Sequence, residues 1–323
     1  MLPPRWPFFN GIESKNRPEP EEGVPRRGKE SRSALTKKED RMTIIDPHIH
    51  MYSRTTDDYT AMYEQGLRAV VEPSFWLGAH RRYAGTFWDY FQLILDFETE
   101  RASRFGIDHF ACVAVNPKEA DRLDLALEVL DGIAPYLDHP RCVALGEIGF
   151  NRMTPNEEEI FQRQLEMAKA RDMLVLIHTP HDTAEVRKRD GVSRTLDILR
   201  ELNYDPGRII VDHNTEDTMD LTRKTDVWAG MTVYPYSKLN PERVVNLIRR
   251  WGLERVLVNS SADWGCSDPT SLPKVAEFMR QKSFSPAQIE RLVLSNPMDF
   301  YGQCPKFKPV FTLPFIHPGT YQR

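Results

Sequence analysis

The chain of 323 residues carries only four cysteines, Cys112, Cys142, Cys266 and Cys304, and no two are close neighbours. That spacing excludes a CxxC knuckle and leaves no obvious disulfide framework. Cys112 and Cys142 lie inside apolar, strand-like runs where buried thiols are expected, and the chain reads as a cytoplasmic protein of a reducing compartment. Long hydrophobic runs are missing too. No apolar stretch approaches the roughly 20 residues that span a bilayer, and the start lacks the basic-then-apolar order of a secretory signal. A soluble protein without a membrane partner is expected. Nor is there an excess of one charge: 43 basic against 47 acidic residues, a net of −4, give no global footprint for nucleic acid or an anionic membrane. A local basic rim stays open.

Residues 1–41 have recurrent proline (Pro3, Pro4, Pro7, Pro18, Pro20, Pro25), interleaved charge and no apolar period, so they are expected to form a disordered extension. Glu13, Glu19, Glu21, Glu22 and Glu30 make that segment too acidic for a transit peptide, and Met42 stands where an alternative start would fall. From Met42 on, short apolar runs alternate with helical stretches, the pattern of a parallel sheet with crossover helices. The expected strands are 43–48, 68–72, 110–115, 142–147, 174–178, 209–213, 227–232 and 255–259. Amphipathic helices are expected over 156–171, with Ile160, Phe161, Leu165 and Ala168 on one face, and over 241–251, with Val244, Val245 and Ile248. Eight strands in about 260 residues predict an α/β fold, a single (β/α)8 TIM barrel over 42–303, with an irregular tail over 304–323.

Five of the expected strands end at or just before a metal-ligating side chain. In Asp46-Pro47-His48-Ile49-His50 the two imidazoles are two residues apart, so on a strand they project to the same side. Asp46 shares that face and is a candidate to orient a histidine, or to bond backbone alone. Glu147 closes the apolar run Val143-Ala144-Leu145-Gly146, where a carboxylate needs a cation or hydrogen-bond donors. His178 and His213 end two further apolar runs, and Asp263 follows the eighth strand in Asn259-Ser260-Ser261-Ala262-Asp263-Trp264. A lone buried histidine is usually just hydrogen-bonded in a core. Five strand ends gathered on one barrel rim predict a metal site of His48, His50, Glu147, His178, His213 and Asp263, with Asp263 and Glu147 catalytic.

These positions, in this order, resemble the TatD-related metal-dependent hydrolases of the amidohydrolase superfamily. The pattern is an Asp/Glu-x-His-x-His start, Gly-Glu-x-Gly after the fourth strand, histidines ending the fifth and sixth, and an aspartate after the eighth. The stretch Asn296 to Gly302 resembles the segment that closes the TatD domain, and the stretches at 177–181, 211–214 and 260–264 are similar to an uncharacterised branch. The resemblance implies that His48, His50 and Asp263 hold one ion, His178 and His213 another, with Glu147 bridging. One or two divalent cations are expected, Zn or Mn ahead of Mg or Ni, activating a metal-bound water. Asn151 and Asn259 depart from the family's pattern, which commonly has acidic residues there, and weaken any transfer of nuclease specificity.

Aromatic residues crowd the loops on the same rim: Phe75 and Trp76 after the second strand, Tyr234 and Tyr236 after the seventh, and Trp264. Glu72, Trp76, His181, Tyr234 and Trp264 are the candidate substrate contacts, with Asn116 a further pocket residue. Phe87 and Trp88 read as helix packing. Arg81, Arg82, Arg152, Arg187 and Lys188 are candidate phosphate contacts, whereas His80, His109 and His139 have no such placement. The leading expectation is hydrolysis of a phosphodiester, of the deoxyribonuclease kind, in single-stranded nucleic acid or a small molecule. The alternatives are a lactonase or amidase acting on a small aromatic metabolite, and a non-catalytic metal-binding barrel in metabolite trafficking.

Overall fold

The structure is a computed structural model that describes residues 42–311, 313 and 314. The expected disordered extension, residues 1–41, lies outside the described residues, as do 315–323.

Eight strands form one parallel sheet in sequence order: β1 (Ile44–Asp46), β2 (Leu67–Pro73), β3 (Asp108–Val113), β4 (Cys142–Gly149), β5 (Leu174–His178), β6 (Ile209–Val211), β7 (Trp228–Thr232) and β8 (Val256–Asn259). The strands are buried along nearly their whole length, as expected for a sheet with both faces covered. Past the strand ends, Ser261 N donates to His48 O at 2.8 Å and His50 N to Ala262 O at 3.0 Å. Those bonds bring the segment after β8 against the segment after β1, and the expected (β/α)8 TIM barrel is the fold observed.

The connecting helices begin where the local chemistry predicts. Thr154 Oγ1 accepts from Glu157 N at 3.2 Å, Pro155 takes the first turn, and the helix Pro155–Ala170 buries Ile160, Phe161, Leu165 and Ala168. Asn240 Oδ1 accepts from Arg243 N at 2.9 Å at the head of Pro241–Trp251, which buries Val244, Val245, Leu247 and Ile248. No helix among the described residues is long and apolar enough to cross a membrane.

The strand-to-tail packing explains the closing motif. In the helix Asn296–Tyr301, Asn296 Nδ2 donates to the carbonyls of Leu253 and Val256, and the hydroxyl of Tyr301 donates to Pro47 O at 2.8 Å. Beyond it, Phe307 packs on Phe110 and Tyr301 with ring centroids 4.6 and 5.5 Å apart. Burying a ring of that size contributes roughly 1.5–3 kcal/mol. The chain after the last helix is thus built into the core at Phe307, and Val310 N and Phe311 N both donate to Asp108 Oδ2 at 2.7 Å.

Candidate metal centre

Glu147 sits at the middle of the site because β4 bulges there. The β4–β5 register shifts between Gly146 and Ile148, so the extra residue turns its side chain into the barrel mouth. Gly149 (φ +123°) permits the turn, and a Cβ on it would stand 2.4 Å from His178 O. Glu147 Oε1 lies 3.1 Å from His178 Nδ1, 3.1 Å from His213 Nε2 and 3.6 Å from His48 Nε2. His48 Nε2 is in turn 3.3 Å from His50 Nε2, and His213 Nε2 is 3.1 Å from His178 Nδ1.

Three of these histidines stand differently from expectation. β1 ends at Asp46 and β6 at Val211, so His48, His50 and His213 lie beyond the ladders. His48 and His50 still share a side, because bonds from Ile49 N to Val71 O and from His50 N to Ala262 O hold that segment between β2 and the residues after β8. His213 adopts φ +60°, the left-handed region, with its N–H bonded to Asp212 Oδ1 at 2.6 Å and its Nδ1 2.6 Å from Thr232 Oγ1.

The donors fit a divalent cation. His48, Glu147 and His213 each offer an atom within 4.8 Å of the others, all three are buried, and the set is nitrogen and oxygen without thiolate. His178 Nε2 is buried with no hydrogen-bond partner among the described residues. Burial pushes the Glu147 carboxyl up, but His178 and His48 outweigh it and hold the carboxyl well below its usual range. Burial lowers His50, His178 and His213, keeping their imidazoles in the neutral form that binds metal.

Asp263 is placed apart from this cluster. It lines the same cavity, of about 140 Å³, but its Oδ1 accepts from the Tyr234 hydroxyl at 3.0 Å and from Gly265 N at 2.7 Å. His181 lines that cavity as well, and burial pushes its imidazole down to about 3. Asn116 Nδ2 donates to Glu147 Oε2 at 3.1 Å. Trp264 is 45% exposed and packs against Phe75 and Trp76 at 5.0 and 5.6 Å between centroids.

Glu72 departs most from its expected role. It is fully buried beneath the mouth, where Oε2 is 2.8 Å from His109 Nε2 and Oε1 accepts from Tyr52 N at 2.9 Å, so it braces β2 against β3 rather than lining the pocket. His109, without a placement in the sequence, is its partner. Arg82 and Arg187 are exposed, the latter paired with Asp190, and Asn151 and Arg152 line a neighbouring cavity with Arg81. Phe87 is buried on a helix, as expected.

Sequence reasoning missed four contributors. Asp46 accepts from His48 N and Ser260 N and also bonds the Ser260 side chain, and the carboxylate that bonds an imidazole is Asp212, whose Oδ2 is 2.6 Å from His48 Nδ1. Its position beside His213, at the end of an apolar run, was the available sign. Asn259, a departure from the family pattern, donates its amide to both Asp212 oxygens at 2.9 and 3.0 Å. Lys238 Nζ lies 3.0 Å from His213 Nδ1, and burial pulls it down to about 8; Lys118 lines the same cavity. Nothing in a lone loop lysine distinguishes it in sequence.

The comparisons with known proteins agree with this fold. The family model described as TatD related DNase matches residues 45–302. An uncharacterized metal-dependent hydrolase of Methanocaldococcus jannaschii is 28% identical over 265 residues, 80% of this chain and 99% of that protein. A TatD-like protein of Archaeoglobus fulgidus superposes with a TM-score of 0.65 at 24% identity, over 80% of this chain and 99% of the other. The phosphotriesterase homology protein of Escherichia coli, solved with phosphate in its active site, shares the fold with a TM-score of 0.58 at 17% identity, over 81% and 99%. The chain belongs to the TatD-related DNase family and is a metal-dependent hydrolase.

Proposed function

We infer that the chain hydrolyses a phosphodiester in a small, aromatic substrate. The observation that carries this reading is the presence of two ammonium groups, Lys118 and Lys238, in the cavity that also holds Glu147, His178 and His213. A phosphoryl centre is anionic and gains charge on its leaving oxygen, so cations beside it stabilise both. A neutral lactone or amide has less use for them. Single-stranded nucleic acid would require a basic groove tracking several phosphates. Here the lysines instead face a small space of about 140 Å³ bordered by Phe75 and Tyr234, which favours a small molecule.

His48, His50, Glu147, His178 and His213 would hold one or two divalent cations, Zn or Mn ahead of Mg or Ni, with Asp263 completing the set. When bound, the cation supplies Lewis acidity and lowers the pKa of a water towards ~7. Asp263 receives the proton at Oδ2, since Tyr234 and Gly265 already occupy Oδ1. Asn116 fixes Glu147 through Oε2, leaving Oε1 towards the histidines. Phe75, stacked 4.1 Å from His50, and Trp264 against it exclude bulk water from the cavity.

The test is a screen of the purified chain against aryl phosphodiesters, single-stranded DNA, lactones and amides, with Asp263→Asn as control. Turnover of the small diesters above all others supports the reading. Turnover confined to lactones or amides overturns the phosphodiester assignment.

A further inference from the structure

Beside the metal centre lies a second cavity of about 450 Å³, against about 140 Å³ for the space over the metal donors. The smaller space holds a reacting group and little more, because ligand pockets commonly run to roughly 300–1,000 Å³. Lys118 lines both spaces. Phe75 borders the metal side and Trp76 the other, with ring centroids 6.4 Å apart. Lys118 thus stands between the space over Glu147 and the larger cavity.

That cavity has a distinct chemistry. Arg81, Lys118, Arg122 and Arg152 line it against two carboxylates, Glu119 and Asp121. Arg81 Nε is 3.1 Å from Glu119 Oε1, and Arg152 Nη2 is 3.4 Å from Asp121 Oδ2. Each carboxylate thus already faces an arginine, although no hydrogen bond aligns Arg81 Nε with Glu119 Oε1, and among the described residues no ion pair forms on Lys118 or Arg122. Arg81 is 8% exposed, with its guanidinium 4.2 and 4.7 Å from the ring centroids of Phe87 and Tyr90. Its Nε and Nη1 are buried without a hydrogen-bond partner among the described residues. Buried guanidinium donors are rarely left so, and an acceptor that arrives with a ligand would satisfy them. Trp76 adds a flat apolar wall, with Lys118 Nζ 4.4 Å from its ring centroid.

We propose that this cavity binds the part of the substrate remote from the reacting bond, and that this part is a planar ring bearing a carboxylate or a phosphate. The ring lies along Trp76, and its charge sits among Arg81, Lys118, Arg122 and Arg152. That the occupant is substrate rests on the hydrolase reading. The binding itself does not, because no residue lining this cavity is a metal donor.

The experiment is calorimetric titration of the full chain carrying Glu147→Gln, treated with chelator, with phenyl phosphate, benzoate and neutral benzyl alcohol as probes. At least one anion is expected to bind, about tenfold or more tighter than the alcohol, as a charge-assisted contact requires. The tighter of the two identifies the anionic group. Arg122→Gln and Arg152→Gln, which leave the metal cavity untouched, are each expected to weaken the anion several-fold, with a matching thermal melt showing that each folds. Anions bound no better than benzyl alcohol, or bound equally by both folded variants, overturn the proposal. Anion binding as predicted in a chain that hydrolyses nothing upholds the cavity and removes the hydrolase reading instead.

Discussion

Asp212 Oδ2 stands 2.6 Å from Nδ1 of His48, a residue 164 positions earlier in the chain. With Nδ1 so engaged, His48 turns Nε2 towards Glu147 and His50. Burial pushes Asp212 up, but His213 and His48 outweigh it and keep the group ionised. Asp212→Asn removes the charge and turns one of two accepting oxygens into an amide donor, so the ring of His48 and the donors on the other oxygen can no longer all be satisfied. Metal affinity, read by titration with Zn and Mn, is expected to fall about 10–100-fold, the usual cost of removing such a partner. Unchanged affinity would show that His48 is oriented by the backbone alone.

Gly230 leaves the room that Asp212 occupies. A Cβ on Gly230 would stand 2.2 Å from Asp212 Oδ1 and 3.0 Å from its Cα, so the backbone of β6 or β7 must move in Gly230→Ala. Overpacking of this kind costs about 1–3 kcal/mol. Urea denaturation is expected to show that loss together with weakened metal binding, whereas a fully stable variant with full affinity would mean that Asp212 can shift freely.

Much of this site was legible because strand ends in a parallel barrel converge whatever their separation in sequence. Glu147, His178 and the His48–His50 pair follow apolar runs that announce their strands, and all eight strands were found. The bulge that aims Glu147 was not legible, because periodicity describes a regular ladder and says nothing of an inserted residue. Glu72 was misplaced for a related reason: a strand-end carboxylate looks the same whether it faces the mouth or, as here, a buried histidine on the next strand. Asp212 and Asn259 show the limit of pattern matching. The sequence marks Asn259 as a missing acid, and only the fold shows its amide bonded to an acid supplied by β6's end.

Asp263 carries the proton in the inferred reaction, so Asp263→Asn is expected to lower turnover by about two orders of magnitude or more. Tyr234→Phe removes one hydrogen bond to Oδ1 and leaves the carboxylate, so a smaller loss, about tenfold, is expected. Single-turnover rates with an aryl phosphodiester read both. A fully active Asp263→Asn would assign the proton to another group.

The Glu72–His109 pair predicts a pH dependence of stability. Burial raises Glu72 to about 8 and lowers His109 to about 4, so both are uncharged near neutrality. Between about pH 6.5 and 8 the folded chain keeps the Glu72 proton that the unfolded chain, with a value of 4.5, has lost. Stability contributed by Glu72 therefore falls as pH rises through that window. Below it His109 acts oppositely, because the unfolded chain takes up a proton that the folded chain refuses. Glu72→Gln is expected to flatten the fall in urea midpoint from pH 6.5 to 8. Parallel profiles for the two proteins would mean that Glu72 is ionised in the fold.

The most direct measurement is the metal content of the full chain, purified without added chelator, beside Glu147→Gln of matching thermal melt. About one to two divalent transition-metal ions per chain are expected in the unaltered protein. The variant, lacking the carboxylate on which three imidazoles converge, is expected to hold markedly less. Equal metal in both, or none in the unaltered protein, would contradict the assignment of Glu147 as the centre of the site.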